Sequence, residues 1–97
     1  MKKVKKEGDS IKVDFRKLSV QTTFEGKPHV IDFRHQLGNS IRNNTNDIGV
    51  DDLARKIYFT DGSVDIPVEL IDLIQEIVKA GYTVPVQIAI KNLFNLK

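Results

Sequence analysis

The sequence predicts a single α+β domain in which an N-terminal antiparallel β-hairpin packs on three to four short helices. Three observations carry that reading. Apolar and polar residues alternate from Ile11, as a half-buried strand requires. After Asp32 the apolar spacing changes from two to the helical period. Each later apolar stretch is then bounded by Gly, Asn or Pro at places where helices start and stop.

In the first segment Ile11, Val13 and Phe15 share one side, and Leu18, Val20, Thr22 and Phe24 continue the apolar set on even numbers. A bulge or bend near Arg16 and Lys17 is therefore needed to keep both sets on the core side. Glu25, Gly26, Lys27 and Pro28 supply turn chemistry, and Val30, Ile31 and Phe33 form the return strand. The hairpin is expected to span about residues 11–33, pairing 11–24 with 28–33.

Phe33, Leu37 and Ile41 lie four apart, which predicts a helix over about 34–44 with Asp32 as its N-cap. Gly38 inside it costs ~1 kcal/mol relative to alanine, so either another backbone packs closely there or the helix is short and weak. A second helix is expected over 50–59, with Gly49 as N-cap and Ile48 and Leu53 as a hydrophobic staple. Its buried stripe is Leu53, Ala54, Ile57 and Tyr58. Thr60 to Ser63 read as a turn and Val64 to Ile66 as a short extended piece. Pro67 opens a long helix to about residue 80, whose face of Leu70, Ile71, Leu73, Ile74, Ile77 and Val78 is the widest in the chain, with Gly81 as C′ residue. In the last segment Val84, Val86, Ile88 and Ile90 alternate like a strand, yet Val86, Ala89, Ile90 and Leu93 also trace a helix. Pro85 favours a helix over about 85–96. No internal repeat or low-complexity segment stands out.

Composition narrows the function. At 40% apolar and 29% charged, the chain has the balance of an ordinary globular domain. No apolar run approaches the ~18 residues of a membrane span. The basic start MKKVKKEGD is not followed by the apolar stretch of a signal peptide, so a cytoplasmic location is expected. With no cysteine, disulfides and thiolate nucleophiles are excluded. The net charge of +2 sits in residues 1–10, read as a flexible basic tail, where Lys2, Lys3, Lys5 and Lys6 face Glu7 and Asp9. The body, residues 11–97, is neutral, whereas a nucleic-acid binder usually carries a basic face on the fold itself.

Four constellations invite chemistry. The stretch NNTNDIGVDDLAR resembles a calcium loop in composition, but with Asn44 as position 1, position 5 is Ile48 and position 12 is Arg55, so the ligand pattern fails. Asn-rich turn geometry explains it without a metal. Its Asn43-Asn44-Thr45 matches a glycosylation acceptor only by pattern, because no secretory signal accompanies it. His29, Asp32 and His35 could suggest zinc, but they straddle a strand and a helix, and no fourth ligand or general base has diagnostic spacing. Surface or capping roles are the simpler account. The helices over 34–44 and 50–59 resemble a helix-turn-helix pair, but the second begins with Asp51 and Asp52, which phosphates repel. No phosphate loop or nucleophile elbow is present, so no catalytic residue, cofactor or metal is assigned.

The order LGNSI, NNTNDIG, LARKIYF and SVDI before a long apolar helix resembles a group of small, largely uncharacterised proteins encoded by bacteriophage and integrated mobile elements. The shared elements are Leu37-Gly38-Asn39, Thr45 to Gly49 and Ala54 to Tyr58, and the likeness covers about residues 12–94. Pro67 stands where a Ser or Thr cap is usual in that group. The resemblance implies a bacterial or phage origin and no catalytic residues. The expectation is therefore a non-catalytic interaction or assembly module with a protein partner or self-association. Its open edge is the strand through Leu18, Val20, Thr22 and Phe24. The alternative is a small nucleic-acid regulator using the lysine tail and the helical pair.

Overall fold

The structure is a computed structural model that describes residues 10–94. Over that span it has four helices and two small antiparallel sheets, an α+β arrangement. The lysine tail lies outside the described residues, and Ser10, expected in that tail, opens the first strand.

The expected long strand is two strands in two sheets. β1 (Ser10–Val13) pairs with β4 (Val64–Pro67), while β2 (Leu18–Val20) pairs with β3 (His29–Ile31). The hairpin is thus β2 and β3 alone. The phase slip falls where the alternation places it, but it is a turn and not a bulge. Asp14 accepts hydrogen bonds from the Arg16 backbone N–H at 3.0 Å and from its guanidinium at 3.0 and 2.9 Å, and the Lys17 N–H reaches the Asp14 carbonyl at 3.3 Å. That carboxylate redirects the chain and keeps Phe15 in the core. The freed β1 edge is taken by β4, with Lys12 and Asp65 paired at 2.9 Å across the register. β2 ends at Val20, so Thr22 and Phe24 lie beyond it, and Phe33 leaves the return strand to precede the next helix.

Helix α1 (Arg34–Arg42) begins after Phe33, not Asp32. Asp32 still accepts the Arg34 N–H at 3.2 Å, one position before the cap residue Phe33. Its C-terminus is closed by amides: Asn43 Nδ2 donates to the Asn39 carbonyl at 2.9 Å and Asn44 Nδ2 to that of Ser40 at 2.7 Å. Helix α2 (Ile48–Phe59) is capped by Asp47, whose carboxylate accepts the Gly49 and Val50 N–H groups. Asp47 displaces Gly49 as the cap because it offers an acceptor that glycine lacks. Ile48 becomes the first helical residue, 81% exposed, and forms no staple. Gly38 marks a close crossing of α1 and α2, since a Cβ there would lie 3.0 Å from both the Ala54 carbonyl oxygen and Tyr58 Cβ.

Gly62, in the turn before β4, has φ of 153°, a conformation that L side chains rarely adopt. Pro67 ends β4 instead of opening a helix, because its ψ of 134° is extended. A 3₁₀ turn (Val68–Leu70) then leads into α3 (Ile71–Gly81), where Gly81 is the last helical residue and the extended Tyr82 closes the helix. Helix α4 (Val84–Leu93) decides the strand-or-helix ambiguity for helix, with Pro85 in its first turn. Among the described residues every buried side chain is apolar, and they form one cluster drawn from all four helices and strands β1, β2 and β4.

Candidate interaction surface

Helix α4 carries apolar residues on two faces. Ala89 and Ile90 are buried against the core, with Val86 and Leu93 partly so, while Val84 and Ile88, one turn apart, remain 62% and 54% exposed. This double face is why the segment alternates like a strand and repeats like a helix at once.

Opposite α4 stands the loop joining β2 to β3. Gln21 pins it from within, its Nε2 donating to the carbonyls of Gly26 at 3.0 Å and Phe24 at 3.3 Å. Thr23 Oγ1 fills the space beside Gly26 that a side chain would need. The loop so held turns Phe24 wholly into solvent, at 103% relative exposure. Between loop and helix lies an open groove of about 630 Å³, lined on one wall by Thr22, Phe24 and Pro28 and on the other by Val84, Pro85 and Ile88. Among the described residues Lys17 is its one charged lining residue.

The four residues of the expected edge therefore divide. Leu18 and Val20 bury their side chains in the core, whereas Thr22 and Phe24 line the groove. Because β2 and β3 form a two-stranded sheet, each has one edge with no strand partner among the described residues. Lys2, Lys3, Lys5 and Lys6 fall outside those residues.

The other constellations resolve into architecture. Asn43, Asn44, Thr45 and Asp47 spend their polar atoms on helix ends, Thr45 Oγ1 accepting the Asp47 N–H at 3.1 Å. The His35 ring packs on Tyr58 with centroids 4.3 Å apart, Asp32 is bound by Arg34, and His29 is exposed on β3. Among the described residues no group of three or more His, Asp or Glu could hold a metal ion, and no helix is long and apolar enough to cross a membrane. At the start of α2, Asp51 sits 3.6 Å from Arg42 and 3.9 Å from Arg55, beside a cavity of about 210 Å³ between α1 and α2. Ligand pockets usually reach roughly 300 Å³ or more.

One signal in the sequence escapes a reading by period. Val13-Asp14-Phe15-Arg16 and Ile31-Asp32-Phe33-Arg34 repeat the same Asp-Phe-Arg, and in both copies Asp binds the Arg two residues on while Phe is buried. The copies lie side by side, the Phe33 N–H donating to the Phe15 carbonyl at 2.8 Å. Arg34 also reaches Asp61 at 2.6 Å and the Thr60 carbonyl at 3.1 Å, tying the second copy to the end of α2. Hydrogen bonding to Arg16 holds the Asp14 carboxyl down at about 2, and Arg34 likewise lowers Asp32. A three-residue repeat is too short to stand out by spacing, but an identical triplet after a β-branched residue is the mark that reveals it.

No family model, curated protein or solved structure matches this chain.

Proposed function

We propose that the chain is a non-catalytic protein-contact module that works in the cytoplasm, and that its contact surface is the groove between the β2–β3 loop and α4. One observation carries the reading: Phe24, Val84 and Ile88 are turned to solvent on two facing elements, while the core draws in most other apolar side chains. Large exposed apolar side chains gathered around one concavity favour a partner. The rigid hold of Gln21 on the loop agrees with this, because a prearranged surface loses less freedom on binding. The likeness of the LGNSI, NNTNDIG and LARKIYF segments to phage and mobile-element proteins supports an accessory or assembly role in such an element.

The test combines light scattering over a wide concentration range with affinity capture on the immobilised chain, each run beside Phe24→Ser and Ile88→Asp. Association or capture that both substitutions abolish is the expected result. A monomer at every concentration, with identical capture by wild type and variants, would remove the proposal. Loss of DNA retention on deleting residues 1–9, with a steep fall in affinity as salt rises, would point to a nucleic-acid regulator.

A further inference from the structure

Building on the contact-module reading, we infer that the occupant of the groove is a second copy of this chain, each copy inserting Phe24 into the groove of the other. A two-fold interface requires one surface to be complementary to itself, so projection and recess must lie on the same patch. Here they do. Phe24 projects from the rim of the groove whose opposite wall is Val84, Pro85 and Ile88, and it is wholly exposed in its own chain.

Charge points the same way. Lys17 lines the groove and Glu25 follows Phe24 directly, and among the described residues neither has a salt-bridge partner. Inserting the Phe24 tip of one copy brings its Glu25 toward the Lys17 of the other, and the two-fold repeats that pairing. A foreign partner would need its own apolar tip with an adjacent carboxylate, which this chain already carries.

Area sets the strength. A standard interface covers roughly 800 Å² per partner, about an eighth of the 6626 Å² that the described residues expose. The groove's exposed lining falls well short of that, so association through it is expected to be weak and reversible.

Sedimentation equilibrium on the full chain, from about 10 µM to about 1 mM, provides the test. The weight-average mass is expected to climb from 11.0 kDa toward twice that value with concentration. Phe24→Ser and, from the opposite wall, Ile88→Asp each hold it at the monomer. Lys17→Glu and Glu25→Lys each weaken association roughly twofold to thirtyfold, the scale of the two exposed ion pairs that the two-fold axis generates, and the double exchange restores it. All four side chains are surface-exposed, so unchanged circular dichroism and melting show that the variants fold. A dimer that ignores Phe24→Ser and Ile88→Asp overturns the inference by placing the interface elsewhere. A monomer that captures a different protein through the groove also overturns it while leaving the contact-module reading intact. A monomer that captures nothing ends both.

Discussion

Gly38→Ala sets two effects of opposite sign against each other. Within a helix, alanine is favoured over glycine by about 1 kcal/mol, so propensity alone makes the substitution stabilising. The structure reverses that. The new methyl would lie 3.0 Å from the Ala54 carbonyl oxygen, 3.0 Å from Tyr58 Cβ and 3.4 Å from Tyr58 Cδ2. Carbon atoms prefer about 3.5–4.0 Å, so α1 and α2 must part by several tenths of an ångström. Neither neighbour yields easily, because one is helix backbone and the Tyr58 ring is packed between His35, at 4.3 Å, and Phe59, at 4.7 Å. Overpacking of this kind costs roughly 1–3 kcal/mol. The expected net is a loss of about 1 kcal/mol, or about 5 °C in melting temperature for a domain of this size. Gly81→Ala is the internal control, since a methyl on that helical residue would have nothing within 4 Å and its φ is not positive, so it should gain a few tenths of a kcal/mol. Thermal and urea unfolding of both variants decide the matter. Equal stabilisation by the two alanines would refute the close α1–α2 crossing.

Other expected outcomes concern the polar frame. Arg34→Ala removes hydrogen bonds to Asp32, Asp61 and the Thr60 carbonyl from a guanidinium only 14% exposed. Because both carboxylates can rehydrate, the loss should be modest, read as a lower urea midpoint at unchanged slope, and Arg34→Lys should recover only part of it. Asp14 has a folded pKa of about 2 against 3.8 for the free side chain, a depressed value, so its contribution is present above pH 3.8 and is lost as pH falls through about 2. Urea midpoints measured between those limits should fall less steeply for Asp14→Asn than for wild type. Asp47→Ala removes the acceptor for two N–H groups of α2 and should cost about 1 kcal/mol, whereas Asp47→Ser should cost little.

The helices were legible because their signal is local. Apolar spacing located all four, while their ends moved: Asp47, a side-chain acceptor, outcompeted Gly49 as a cap, and the third helix starts at Ile71 after β4 and a 3₁₀ turn instead of at Pro67. The sheets were half legible. The phase change after Phe15 announced a break, but whether it was a bulge or a turn depended on Asp14 reaching Arg16. Nothing in a four-residue strand declares a partner fifty residues away, so the β1–β4 pairing is a product of tertiary packing, with Lys12 and Asp65 as its faint trace. For the groove, Thr22 and Phe24 were expected on a strand edge but line it from the loop beyond β2, and the last segment's strand-like alternation held Val84 and Ile88 without showing that they stay exposed. That these two walls face each other was not, because it depends on where the hairpin docks.

That docking follows from the repeated Asp-Phe-Arg. Each copy uses its Asp–Arg pair to turn the chain and so drives its Phe inward. Phe15 meets Phe94, just past the end of α4, edge-on at 6.0 Å, and Phe33 meets Tyr82, just before its start, edge-on at 5.0 Å. Tyr82 is anchored in turn, its hydroxyl 2.6 Å from Ser40 Oγ and donating to the Gln36 carbonyl at 3.3 Å, while its own carbonyl accepts from Gln87 of α4 at 3.0 Å. The two aromatic pairs thus grip α4 at both ends, and the second copy of the repeat is joined to β3, whose loop carries Phe24. Both walls of the groove are therefore referenced to one pair of adjacent turns. The groove's frame is set by these aromatic contacts and its loop wall by Gln21, so Phe24 and Ile88 can be substituted without moving the walls.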